Sequence, residues 1–95
     1  AVGENVADNG GVKTSLKAYM MNTTSASVEL FSVAYAQGWC SKATDQYLKE
    51  QVETDVHSPA KFRAIGPLMN RPEFAAAFNC PVGSVMNPST QCEVW

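Results

Sequence analysis

The chain has 95 residues, 45% hydrophobic and 17% charged, with a formal net charge of −2 and a pI near 5.2. This composition suits one globular domain at most, with a modest core, and the scattered Lys and Arg residues form no basic stripe that would neutralise phosphates, which excludes a nucleic-acid partner. No apolar run is long enough to span a bilayer, and there is no initiating Met or signal-like start, so the chain reads as an excised piece or a processed product.

The first helix is expected over about Gly3 to Met21, with Val12, Leu16 and Tyr19 forming an apolar stripe at helical spacing. Within it Glu4 and Asp8 stand at i and i+4, placing two carboxylates on one face, where like charges repel by a few tenths of a kcal/mol. Gly10-Gly11 then costs about 1 kcal/mol per residue relative to alanine. A segment that gives up local stability twice suits a metal site, with Glu4 as a direct ligand and Asp8 holding another ligand by hydrogen bond. The plainer alternative is an acidic first turn favoured by the helix dipole, followed by a turn at the glycines.

After the polar run Asn22-Thr23-Thr24-Ser25, a second helix opens near Ser27 and runs apolar nearly all round through Ala36. That pattern predicts the most buried helix of the chain, closed by Gly38-Trp39-Cys40. Thr44 or Asp45 caps a third helix reaching Glu53, with Leu48 and Val52 on one side and charges outward. Ser58-Pro59 reads as an N-cap and first helical residue, starting a fourth helix that Gly66-Pro67 bends or stops. Asn70-Arg71-Pro72-Glu73 resembles a capping box before a short fifth helix over Phe74 to Phe78. From Asn79 onward the Pro, Gly and polar residues indicate irregular chain. Nothing alternates with a strand-like period, so an all-α fold is expected.

Three cysteines, Cys40, Cys80 and Cys92, allow at most one internal bridge, and Cys80 with Cys92 is the least demanding, closing a short loop. Asn22-Thr23-Thr24 is an N-glycosylation sequon, consistent with extracellular exposure. The only histidine, His57, stands just before the fourth helix in Thr54-Asp55-Val56-His57-Ser58-Pro59, and Arg63 follows six residues later. A lone His is more often structural than catalytic and a lone Arg usually solvated.

Five stretches in order change that balance: Gly3-Glu4-Asn5-Val6-Ala7-Asp8-Asn9-Gly10-Gly11, Ala36-Gln37-Gly38-Trp39-Cys40, Thr54-Asp55-Val56-His57-Ser58-Pro59, Phe62-Arg63, and Cys92-Glu93-Val94-Trp95. Together they cover nearly the whole chain, which closely resembles the C-terminal end of the neprilysin family of zinc metallopeptidases, including the endothelin-converting enzymes. The resemblance implies that residues 1–95 are the helical C-terminal part of a catalytic domain, with a disulfide-tied tail from about Cys80. Within the family the cysteines are expected to pair with partners upstream. It further implies Glu4 as the third protein ligand of one zinc ion and Asp8 as the hydrogen-bond partner of a zinc-binding histidine. His57 would donate to the oxyanion of the tetrahedral intermediate, Arg63 would grip the carbonyl of the residue after the scissile bond, and Trp39 would line the pocket for that residue's side chain.

Two departures stand out. Gly38 replaces a bulkier residue before the tryptophan, which would enlarge that pocket, and Pro67 sits where the helix after Arg63 is expected to continue. The H-E-x-x-H motif, whose histidines bind zinc and whose glutamate is the general base, is absent from this chain and belongs upstream on this reading. The implied partners are peptide substrates and the remainder of the parent chain, with a membrane only through a possible N-terminal anchor outside this chain. The implied reaction is extracellular hydrolysis of small peptides on the amino side of bulky hydrophobic residues, by a secreted or membrane-anchored parent. The isolated chain is expected to be inactive. A competing reading is a non-catalytic fragment that serves as a binding or antigenic module on the same scaffold.

Overall fold

The computed structural model describes residues 1–94. It has five helices: α1 (Val2–Asn22), α2 (Val28–Gln37), α3 (Asp45–Thr54), α4 (Ala60–Met69) and α5 (Pro72–Ala77). Among the described residues there is no strand, only an isolated bridge between Ser84 and Asn87, so the all-helical expectation holds.

α1 packs on α4, and α2 packs on both α4 and α5. The core they share is small: Val12 and Leu16 of α1, Leu68 of α4 and Ala75 of α5 are its buried apolar residues. α1 therefore survives the Gly10-Gly11 pair in its interior through tertiary packing, the usual source of helix stability in a folded chain. Its far end is pinned to α2 by the Tyr19 hydroxyl, which accepts from the Ser27 N–H at 2.9 Å. Ser27 caps α2 by accepting from the Leu30 N–H at 3.1 Å, and Thr44 caps α3 by accepting from the Tyr47 N–H at 3.1 Å, as their residue types favour.

Three local expectations change in the tertiary context. α4 begins after Pro59 and runs through Gly66 and Pro67 to Met69, while the Ser58 hydroxyl leaves the helix end and donates to Asn5 Oδ1 at 2.7 Å. Asn70 does not cap α5, whose N-cap is Arg71 with Pro72 following. Instead it ends α4, where its side chain donates to Asn9 Oδ1 at 2.8 Å and accepts from the Cys92 N–H at 3.3 Å.

α2 is not the most buried helix. Ser32 is its only buried residue, whereas Leu30 is 64% and Val33 49% exposed. An all-round apolar helix needs cover on every side, and α4 and α5 cover only one. α3 buries none of its residues, leaving Leu48 and Val52 open.

No disulfide joins Cys80 to Cys92 or either to Cys40 within the chain, and other bonds hold the tail. α5 ends in a Schellman turn, with Asn79 in the left-handed region at φ 54° and the Cys80 N–H donating to the Ala75 carbonyl at 2.9 Å, as this cap requires. Beyond it, Gln91 Nε2 donates to the Met69 carbonyl at 3.0 Å and Lys13 Nζ to the Val94 carbonyl at 3.3 Å. These bonds lay the tail across the junction of α1 and α4.

The accessible surface is 6483 Å². A compact monomer of 10.3 kDa exposes about 5,400 Å² by the usual scaling. The excess, on the order of 1,000 Å², is comparable to one side of a protein interface.

Candidate functional site

The polar beginning of α1 resolves into two stripes, each made by an i, i+4 pair. Asn5 and Asn9 form one, facing Ser58 and Asn70 at the two ends of α4. Glu4 and Asp8 form the other, facing His57 and Arg63.

Arg63 and Asp8 meet in a two-point pair: Nε donates to Oδ2 at 2.8 Å and Nη2 to Oδ1 at 2.9 Å. Both side chains are about four-fifths covered, at 20% and 17% exposure. The hydrogen bonds that Arg63 donates to Asp8 raise its pKa further above its ordinary value, so the guanidinium is a permanent cation. Its face lies over the Trp39 ring, 4.1 Å from the centroid, a cation–π contact. Tyr35, one turn earlier in α2, packs against Trp39 in a T-shaped arrangement with ring centroids 6.4 Å apart and donates its hydroxyl proton to the Arg63 carbonyl at 2.6 Å. Burial pushes the Tyr35 pKa up, which keeps that donor protonated. Of the five N–H donors of a guanidinium, two are spent on Asp8 and three remain.

His57 sits between two carboxylates. Its Nε2 lies 3.2 Å from Glu4 Oε2 and its Nδ1 3.0 Å from Asp55 Oδ1. The same Asp55 oxygen accepts from the His57 backbone N–H at 2.9 Å, a local turn that Asp favours. That backbone hydrogen bond, then the one to the ring, lowers the Asp55 carboxyl below its usual pKa. Holding Nδ1 against Asp55 fixes the ring orientation and turns Nε2 toward α1.

Trp39 also borders a shallow cleft of about 160 Å³ between α1 and α2, shared with Asp8, Gly11, Ser15, Phe31 and Tyr35. Gly38 is the C-cap of α2, and a side chain there would meet the Tyr35 carbonyl at 3.3 Å. What surrounds it on the described surface is the helix end.

The sequence therefore singled out five residues that fall into two clusters, Glu4 with His57 and Asp8 with Arg63 and Trp39. Among the described residues no group of three or more His, Cys, Asp or Glu side chains could hold an ion, although the half-exposed Glu4 carboxylate is chemically suited to be one ligand of a set completed elsewhere. Asp55 and Tyr35 were missed. The D-x-H spacing was a usable signal for Asp55, because Asp accepts readily from the N–H two residues on. Tyr35 looked like one more apolar residue of α2.

The model of peptidase family M13 matches residues 1–94. Neprilysin-21 of Caenorhabditis elegans is 47% identical over the whole chain, which covers 14% of its length. The endothelin-converting enzyme homolog of Locusta migratoria is 45% identical over 99% of the chain and 15% of its own length. Human endothelin-converting enzyme 1 is 44% identical over 99% of the chain and 14% of its own length. The chain thus spans about a seventh of the curated relatives it matches. With a family match across every described residue, this chain is a member of peptidase family M13.

Proposed function

We propose that the chain is the C-terminal part of the catalytic domain of an extracellular zinc metalloendopeptidase that cleaves small peptides on the amino side of bulky hydrophobic residues. The observation that carries this reading is the meeting of α1 with the α4 region: Glu4 and Asp8, one turn apart, face His57 and Arg63. The surface excess and the open faces of α2 and α3 suit a layer that packs on the rest of a larger domain, which would supply H-E-x-x-H.

In this reading Glu4 is the carboxylate ligand to zinc, and the ion, when bound, polarises the scissile carbonyl as a Lewis acid. Asp8 keeps one oxygen lone pair beside each Arg63 bond, so it can also accept from a ligand histidine supplied by the rest of the domain. Asp55 orients His57 so that Nε2 donates to the developing oxyanion, an interaction typically worth about 3 to 4 kcal/mol of barrier. Arg63, gripped by Asp8 on one edge and Trp39 on one face, offers its remaining donors to the substrate carbonyl after the scissile bond. Trp39 and its cleft receive an apolar side chain.

The extracellular reading gains support from Asn22, the exposed last residue of α1, whose sequon leaves the helix at once with Thr23 extended. An N-glycan there would lie at the opposite end of α1 from Glu4, about 27 Å along the axis.

Kinetics of the full-length parent test the assignment. Glu4→Gln is expected to lose zinc and nearly all activity. His57→Ala is expected to lower kcat about a hundred- to a thousandfold with KM almost unchanged, and Arg63→Ala chiefly to raise KM. An unaltered kcat in His57→Ala, or full zinc content in Glu4→Gln, would refute that residue's role.

A further inference from the structure

We infer that Tyr35 is a positioning residue for Arg63, supplying from α2 the hydrogen bond that Pro67 withholds from the Arg63 carbonyl. The inference deepens the proposed function and rests on the reading of Arg63 as the group that grips substrate.

In an α-helix the carbonyl of residue 63 accepts from the N–H of residue 67, but residue 67 is proline, which has none, and its ring crowds the carbonyl four residues back. α4 nevertheless continues through Pro67 to Met69, and Pro67 itself is buried. A carbonyl robbed of its helical donor in a half-covered place needs another partner. The Tyr35 hydroxyl takes that position, donating to Arg63 O at 2.6 Å.

This bond matters beyond satisfying one oxygen. α2 and the turn that closes it touch Arg63 twice, through the Tyr35 hydroxyl at its backbone and through the Trp39 face under its guanidinium. Tyr35 and Trp39 are themselves one turn apart and in edge contact. With Asp8 of α1 on the third side, backbone and head group are both fixed, and the unused donors are held in place before any substrate arrives. Such pre-organisation is worth most when a small displacement would misplace a hydrogen-bonding fork. Pro67, read alone as a helix breaker, is then one half of a matched pair with Tyr35.

The test uses the full-length enzyme and four variants: Tyr35→Phe, Pro67→Ala, the double variant and Arg63→Ala. Two inhibitors are compared, a peptide hydroxamate with a backbone carbonyl beyond its metal-binding group and acetohydroxamate, which lacks that carbonyl. Tyr35→Phe is expected to raise KM and to weaken the peptide hydroxamate about 3- to 10-fold, the worth of one hydrogen bond, with kcat and acetohydroxamate affinity essentially unchanged. Pro67→Ala restores an N–H at residue 67, so the double variant is expected to recover the affinity that Tyr35→Phe loses. Undiminished peptide hydroxamate affinity in Tyr35→Phe, or an equal loss in the double variant, overturns the inference. If Tyr35→Phe does not fold, recovery of folded enzyme with normal inhibitor affinity in the double variant supports it, and failure to recover overturns it. Arg63→Ala separates the two levels: if it weakens the peptide hydroxamate while Tyr35→Phe does not, only the role of Tyr35 falls. If Arg63→Ala leaves that affinity intact, the reading of Arg63 falls too.

Discussion

Removing the Arg63 side chain from the 95-residue chain should cost a large part of its folding stability, and most of the loss should be shared with Asp8. Arg63→Ala deletes a two-point, charge-assisted pair with a carboxylate only 17% exposed; because burying both charges offsets part of the gain from the two bonds, the pair together is worth about 1.5 to 3 kcal/mol, the range of one hydrogen bond to a charged group. It also removes the guanidinium from the Trp39 face, worth about 0.5 to 1 kcal/mol. The sum, about 2 to 4 kcal/mol, stands against a total of roughly 5 to 14 kcal/mol for a chain of this length. A double-mutant cycle with Asp8→Ala isolates the pair, because the Trp39 contribution cancels from the interaction term. Urea unfolding of the four proteins, followed by far-ultraviolet circular dichroism, is expected to give a coupling of about 1.5 to 3 kcal/mol that persists in high salt. A coupling below about 0.5 kcal/mol, the range of an exposed ion pair, would refute the reasoning that coverage and two-point geometry make this pair strong.

Asp55 should titrate below the ordinary carboxylate range. Because its folded pKa is lowered by the His57 backbone N–H and then the ring, its stabilising effect is fully present above the unfolded pKa and is lost as pH falls through the lowered value. The His57 amide proton followed by NMR reports the midpoint, and one at or above the ordinary carboxylate pKa refutes this. The isolated chain should bind zinc only weakly, since a catalytic site takes three protein ligands; tight stoichiometric binding in calorimetry, abolished by Glu4→Gln, would show that further ligands had been missed. Asn70→Ala removes the bonds to Asn9 and to the Cys92 N–H, about 1 kcal/mol each. It should therefore speed proteolysis in residues 80–94, and an unchanged cleavage rate there would count against Asn70 as the tail's anchor.

The sequence by itself determined that the chain is helical, roughly where each helix lies, and which family it belongs to, because periodicity, capping and the five motifs are local patterns. It also singled out Glu4, Asp8, His57, Arg63 and Trp39 through that resemblance. What each of them touches was decided by the tertiary structure. Asp8 reaches Arg63 across 55 residues of chain, a pairing that spacing along one helix cannot encode, and the Asn5 and Asn9 stripe looked like idle polarity until Ser58 and Asn70 stood opposite. The apolar pattern of α2 said that it wanted cover but not which side would receive it, so its burial was overestimated. Pro67 gives the clearest physical reason for the gap. A proline inside a helix costs about 3 kcal/mol on local grounds, which reads as a stop, but packing against α1, α2 and α5 and the Tyr35 hydroxyl on the stranded carbonyl offset that cost. Those partners lie far away in sequence, and only the fold brings them together.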